Sequence, residues 1–231
     1  MIIFAHRGAS GYAPENTMAA MKKAIALGIN AIEFDIHNVE GELYVFHDRR
    51  LDNKSSGSGL IEEVSRQYLS SINVEGEPIP TLWEVMNYLS QHDCLVNIEL
   101  KGMKSLEPFI KIYPRLVTDL HIAPENLLIS SFNHGFLAKF RHLFPLSRIA
   151  PLFEGIELQA NSTAHKLDAY SLHLSLSFIN QEIITQAQAE GRKVFVYTVD
   201  HEEDIIGLRQ MGVDGIFTNF PDRAANILKV R

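Results

Sequence analysis

The sequence predicts an α/β protein of the (β/α)₈ TIM-barrel class. Eight short apolar runs rich in β-branched and aromatic residues alternate with helical patterns along 231 residues, the mark of βαβ units and a parallel sheet. No Gly-x-Gly-x-x-Gly turn follows the first run, which weighs against an open doubly wound sheet and for a closed barrel. The length also suits one barrel around one core. Residues 1–231 are therefore read as a single domain, with residues 41–80 as a small insertion between strands 2 and 3.

The first run, Ile2 to Ala5, is followed by a helical pattern from Thr17 to Leu27 and then by the second run, Ala31 to Ile36. About sixty residues separate that run from the third, Leu95 to Leu100, far more than one crossover needs. The surplus begins with a hairpin strand, Leu43 to Phe46, and contains the small, polar stretch Asn53-Lys54-Ser55-Ser56-Gly57-Ser58-Gly59. Such a segment belongs at a barrel mouth, as a lid or small subdomain. A helix from Leu82 to Gln91 closes the excursion. The later runs are Leu127 to Ser130, Arg148 to Phe153, Ala169 to Leu174, Val194 to Val199 and Gly215 to Thr218. Helical patterns accompany them at Leu106 to Asp119, His134 to His142, Gln181 to Glu190, Glu202 to Gln210 and Pro221 to Leu228. Gly28, Gly191 and Gly212 sit where helices end in a left-handed residue.

Hydrophobic residues make up 46% of the chain and charged residues 21%, a balance that builds a core and excludes general disorder. The formal charge of −7 offers no basic surface for polyanions, so nucleic acid is not an expected partner and any phosphate must meet a few local cations or a metal. The single cysteine, Cys94, excludes an internal disulfide framework and reads as a small core residue beside Leu95 and Val96. The opening Met1-Ile2-Ile3-Phe4-Ala5 is too short for a signal segment and lacks a basic start. No run approaches the ~20 apolar residues of a membrane span. A soluble protein with no membrane anchor in a reducing, cytoplasmic setting is the expectation.

Chemistry concentrates behind the first three barrel strands. Glu33 and Asp35 are two apart in the second strand, so their side chains share a face. Like charges that close, on a sheet covered by helices, need a counter-charge, and oxygen-only donors suit Mg²⁺ or Ca²⁺. An exposed edge strand with solvated acids would explain the pair alone. It does not explain the third carboxylate, Glu99, flanked by Ile98 and Leu100 and expected at the same barrel end. Lys101, two residues on, then supplies a point charge for a phosphate oxygen. His6 and Arg7 follow the first strand and reach the same mouth. His47-Asp48 follows the hairpin strand and brings a second imidazole. The remaining eight histidines lack such company, with His173, near the end of the sixth barrel strand, the one to watch.

His6-Arg7-Gly8, Pro14-Glu15-Asn16-Thr17, Glu33-Phe34-Asp35, His47-Asp48, Ile98-Glu99-Leu100-Lys101, Ser130-Ser131-Phe132, Val196-Tyr197-Thr198-Val199 and Gly212-Val213-Asp214-Gly215-Ile216-Phe217-Thr218 occur in this order. Together they resemble the glycerophosphodiester phosphodiesterase family over residues 2 to about 221. The resemblance implies hydrolysis of a small-molecule glycerophosphodiester to sn-glycerol 3-phosphate and an alcohol, with one divalent cation. It implies Glu33, Asp35 and Glu99 as metal ligands, His6 and His47 as the acid/base pair, and Arg7 and Lys101 as phosphate contacts. Glu15 would orient Arg7 or the adjoining loop, and Phe132 and Tyr197 would form the apolar wall beside the glycerol carbons. It further implies attack by the substrate's neighbouring glycerol hydroxyl, giving a cyclic phosphate that water then opens. The chain departs from the family pattern at Asn38-Val39-Glu40-Gly41, one residue short of a Thr-x-Asp-Gly turn, which bears on the hairpin that aims His47. It departs again at Asn53-Lys54-Ser55, in place of Arg-Thr-Thr, and at Tyr197, in place of a more usual Trp. Two competing expectations are a phospholipase D-type activity on lysophospholipids, which needs an apolar mouth, and a non-catalytic phosphate-binding barrel, which would not need both histidines.

Overall fold

A computed structural model describes residues 1–155 and 159–229. Among them β1 (Ile2–His6) leads into α1 (Met18–Ala26), β2 (Ala31–Val39) and β3 (Glu42–Val45). The excursion continues through α2 (Arg66–Leu69), β4 (Asn73–Val74) and β5 (Glu77–Pro78) to α3 (Leu82–Leu89). Then strand and helix alternate: β6 (Leu95–Leu100), α4 (Leu106–Thr118), β7 (Leu127–Ser131), α5 (His134–Leu143), β8 (Arg148–Phe153), α6 (Ala160–Lys166), β9 (Ser171–Ser175), α7 (Gln181–Ala189), β10 (Lys193–Tyr197), α8 (Glu202–Gln210), β11 (Gly215–Thr218) and α9 (Pro221–Lys229).

Eight parallel strands pair in the cyclic order β1, β2, β6, β7, β8, β9, β10, β11, and β11 returns to β1. The expected closed (β/α)₈ barrel is the fold. Two layers of apolar contact hold it. Inside, Phe4, Phe195 and Phe217 fill the barrel floor, with Phe4 ring centroids 5.3 Å from Phe195 and 4.7 Å from Phe217. Outside, the apolar faces of strands and helices form one large buried cluster. Cys94 lies in that cluster, buried and free. No helix among the described residues is long and apolar enough to cross a membrane.

Local sequence chemistry sets the helix starts. The Thr17 hydroxyl accepts from Ala20 N at the head of α1, and Thr81 and Glu84 form a reciprocal capping box at the head of α3. Both satisfy amide groups that a helix start leaves unpaired. The helix α6 has no counterpart in the sequence reading. Its sequence, Ala-Asn-Ser-Thr-Ala-His-Lys, is short and rich in residues that favour caps over helix interiors, and it is held by burial of Ala160 and Ala164.

β2 runs three residues beyond its expected end because β3 folds back on it antiparallel, pairing Ile36 with Val45 and Val39 with Glu42. Glu40 and Gly41, both at positive φ (50° and 88°), make the two-residue turn, a geometry whose twist matches the flanking strands. Beyond it, the excursion gathers a small apolar cluster of its own around Phe46, Leu51, Ile61, Leu69 and Ile72.

Candidate active site

The C-terminal ends of the barrel strands meet in a cavity of about 470 Å³, which His6, Arg7, Glu33, His47, Glu99 and Lys101 all line. In a parallel barrel this is the face where loops can gather functional groups over a rigid frame.

The carboxylate trio comes from register. Asp35 and Glu99 are direct partners in the β2–β6 ladder, and Glu33 lies two residues back on the same face. One oxygen from each of Glu33, Asp35 and Glu99 lies within 4.8 Å of the others, and all three residues are buried. Burial, and after it the neighbouring carboxylates, pushes Glu33 well above the usual carboxyl range. Burial and the Asp35 charge push Glu99 up to about 7. Asp35 goes the other way: burial opposes its charge, yet Lys101 and Arg7 hold it down at about 2. Two carboxyls thus resist ionising where they stand, and a hard divalent cation among these oxygens would stabilise the charged form of all three. The donor set fits such an ion.

Two cations flank the trio. Arg7 Nη1 reaches Glu15 Oε1 at 2.9 Å, and Arg7 Nε stands 3.5 Å from Asp35 Oδ2. Lys101 Nζ donates to Glu99 Oε1 at 2.9 Å and lies 3.7 Å from Asp35 Oδ1. Glu15 also accepts from Lys54 Nζ at 3.1 Å, so one residue of the polar excursion reaches back to the mouth. The turn that presents Arg7 is tight. Arg7 itself has φ 56°, and its amide donates to Glu33 Oε2 at 2.9 Å. Gly8 follows at φ 76°, where an added Cβ would lie 2.7 Å from the Ala20 backbone. Only glycine meets both the conformation and the close approach.

The two imidazoles have different partners. His6 Nδ1 lies 2.9 Å from Asn219 Oδ1. The Asn219 side-chain amide donates to Asp200 Oδ2 at 2.6 Å and Ser10 Oγ donates to Asn219 Oδ1 at 2.7 Å, so the amide oxygen must face His6. The imidazole then carries its proton on Nδ1 and keeps Nε2 as an acceptor. Burial, and next Arg7, lowers the His6 pKa to about 4. His47 instead has a carboxylate, Asp48 Oδ1, 2.6 Å from Nδ1. Its backbone carbonyl lies 3.1 Å from His37 Nε2, and the strand ahead of it is fastened by Phe46 N donating to Asp35 O at 3.0 Å.

Phe132 and Tyr197 stand edge to face at 6.3 Å between centroids across the rim. Phe132 is 43% exposed, and Lys101 Nζ sits 5.7 Å from its ring centre. The Tyr197 hydroxyl donates to Phe153 O at 2.8 Å. All ten residues singled out in the sequence lie at this barrel end: Glu15 flanks the cavity through Arg7, and the other residues line it, save Asp35, which faces it through its ion pairs.

Sequence reasoning overlooked the residues that hold the others in place. Asn16, at φ 59°, donates its side-chain amide to Asp35 Oδ2 at 2.9 Å and accepts from Asp35 N at 3.3 Å. It sits inside Pro14-Glu15-Asn16-Thr17, and an Asn just before a helix cap was its available signal. Asn219 and Asp200 had no local signal, because they meet His6 from the other end of the chain.

A model of the glycerophosphoryl diester phosphodiesterase family matches residues 6–223. The chain is 33% identical to a glycerophosphodiester phosphodiesterase of Caldanaerobacter subterraneus subsp. tengcongensis, over 99% of this chain and 98% of that one. A glycerophosphodiester phosphodiesterase of Bacillus altitudinis is 32% identical, over 97% of each. Among solved structures, an Oleispira antarctica phosphodiesterase in complex with the product sn-glycerol-3-phosphate superposes with a TM-score of 0.92 at 28% identity, covering 99% of this chain and 97% of that chain.

Proposed function

The chain belongs to the glycerophosphoryl diester phosphodiesterase family, and we propose from that premise that it hydrolyses glycerophosphodiesters to sn-glycerol 3-phosphate and an alcohol in the cytoplasm. The observation that carries this reading is the convergence of three buried carboxylates, two cations and two differently partnered imidazoles in one cavity.

Glu33, Asp35 and Glu99 would hold one divalent cation, Mg²⁺ or Ca²⁺, since a set of oxygens alone selects a hard ion. When bound, the cation offsets negative charge on the phosphoryl oxygens. Arg7 and Lys101 bind the remaining phosphate oxygens and balance charge that grows at phosphorus. His6 Nε2, kept free by the Asn219 contact on Nδ1, accepts the proton of the attacking hydroxyl. That hydroxyl belongs to the glycerol carbon next to the ester, already tethered near phosphorus, so its attack avoids the entropy cost of placing a separate water. His47, its Nδ1 oriented by the Asp48 carboxylate, gives a proton to the departing alkoxide. The cyclic phosphate is then opened by water with the histidine roles reversed. Phe132 and Tyr197 cover the carbon side of the substrate.

Release of glycerol 3-phosphate from glycerophosphocholine, with and without chelator, tests the reading. Turnover should vanish with chelator and return with Mg²⁺ or Ca²⁺, and Glu33→Gln should abolish it. Equal or greater turnover of a lysophospholipid, or none of either substrate, would overturn it. The polar excursion and the net charge of −7 favour a small polar diester over an acyl chain or a nucleic acid.

A further inference from the structure

The cavity floor carries hydrogen-bonding groups that the chemistry above does not use. Asn97 on β6 and His173 on β9 are 1% and 0% exposed, and both line the same cavity as the carboxylates and catalytic imidazoles. The Asn97 amide nitrogen donates to Ser130 Oγ at 3.0 Å. Its oxygen has no partner among the described residues. His173 Nε2 lies 3.2 Å from Ser171 Oγ, and its Nδ1 likewise has no partner among the described residues. Buried polar atoms without partners are costly and uncommon, so two in the floor of one cavity point to a ligand that completes them.

The character of the floor restricts that ligand. His173 packs against Phe195 and Phe217, with ring centroids at 5.4 Å and 4.9 Å. Burial alone pushes its pKa down to about 3, so the ring is neutral at any working pH. The open groups are an amide oxygen, which only accepts, and a neutral imidazole nitrogen, which donates or accepts with its tautomer. Neither offers charge to a phosphate, a carboxylate or an ammonium group. A hydroxyl both donates and accepts, and suits them.

We propose that Asn97 and His173 form a polyol-reading floor, hydrogen-bonding the hydroxyl-bearing glycerol arm of the substrate while its phosphate is held above by Arg7 and Lys101. The assignment rests on the glycerophosphodiesterase reading and adds to it the pair that separates a glycerol arm from an arm without hydroxyls. A site built to bond a hydroxyl discriminates strongly against an analogue that lacks it, because its own polar atoms are then left unpaired.

The test compares two competitive ligands, sn-glycerol 3-phosphate and methyl phosphate, by inhibition constants on the cation-loaded enzyme. The wild type should bind glycerol 3-phosphate at least tenfold more tightly than methyl phosphate. His173→Phe and Asn97→Leu should each lose most of that ratio, with methyl phosphate affinity changed less than about threefold, and His173→Gln should recover part of it. If circular dichroism shows that one variant is unfolded, the other carries the comparison together with His173→Gln. A wild-type ratio near one, or a ratio untouched in the folded variants, overturns the proposal. Parallel loss of both ligands does so too, since it means a structural role. Turnover of glycerophosphocholine by the wild type is scored separately, so failure of the floor is distinguishable from failure of the diesterase assignment.

Discussion

His6 and His47 are the same residue type placed in two electrostatic settings, an amide oxygen on one Nδ1 and a carboxylate on the other. His6→Ala and His47→Ala should each lower kcat by about 10²-fold or more, the usual loss of a general acid or base, with the fold intact by circular dichroism. Asn219→Ala keeps the His6 ring but releases its tautomer, so kcat should fall by about tenfold with KM nearly unchanged; a change confined to KM would show that Asn219 serves binding instead. His173 gives a stability prediction with a definite sign. Burial lowers its folded pKa to about 3 from the ordinary imidazole value of 6.5, so between those limits the unfolded chain takes up a proton that the folded protein refuses. Stability therefore falls as pH falls through that window, by up to about 1.4 kcal/mol per pH unit from this group. Urea titrations from pH 7 to 4 should show a shallower decline for His173→Gln than for the wild type, and parallel curves would contradict the burial argument. At this scale the sequence was legible where functional groups lie close along the chain, as in Glu33-Phe34-Asp35. It was silent where they meet across the barrel: Asp200 and Asn219 lie more than 190 residues from His6 and acquire meaning only when β11 closes onto β1.

Elements were legible in proportion to their apolar periodicity. The eight barrel strands are continuous runs because both faces are covered, and their pattern survives without any tertiary knowledge. α6 was not, since a seven-residue segment of Ala, Asn, Ser, Thr, His and Lys carries little helical pattern and depends on what it packs against. The hairpin ahead of His47 was legible as a hairpin, and its shortened turn has a specific consequence. Gly41 sits at φ 88° with open space where a Cβ would be built, so Gly41→Ala adds backbone strain without a clash. That strain should cost about 1–2 kcal/mol, read by urea denaturation. Because Val39 pairs with Glu42 across the turn and the same strand delivers His47, kcat should also fall, though less than in His47→Ala. Unchanged stability would mean that the turn relaxes to another geometry.

For the molecule as a whole, the active site is a stability liability that the proposed cation would reverse. Three carboxylates converge at the top of a barrel whose lower interior is filled by aromatic side chains, and two of the three resist ionising there. The folded protein gathers these carboxylates and the unfolded chain scatters them, so a cation held by them would bind the native state almost exclusively and stabilise it by mass action. At a hundred times its dissociation constant that amounts to about 2.7 kcal/mol. In a domain of this size such a gain corresponds to a Tm rise of roughly 5–10 °C. The distinguishing feature lies in the Glu33→Gln variant. Gln keeps an oxygen for the Arg7 amide, which Glu33 Oε2 accepts at 2.9 Å, while removing one buried acid. In chelator the variant should therefore melt at or above the wild-type temperature, yet respond little to added Mg²⁺ or Ca²⁺. The two proteins would exchange rank as cation is titrated in, which loss of packing alone does not produce. A wild-type Tm indifferent to chelator, or a Glu33→Gln protein that gains as much from the cation as the wild type, would remove Glu33 from the ligand set.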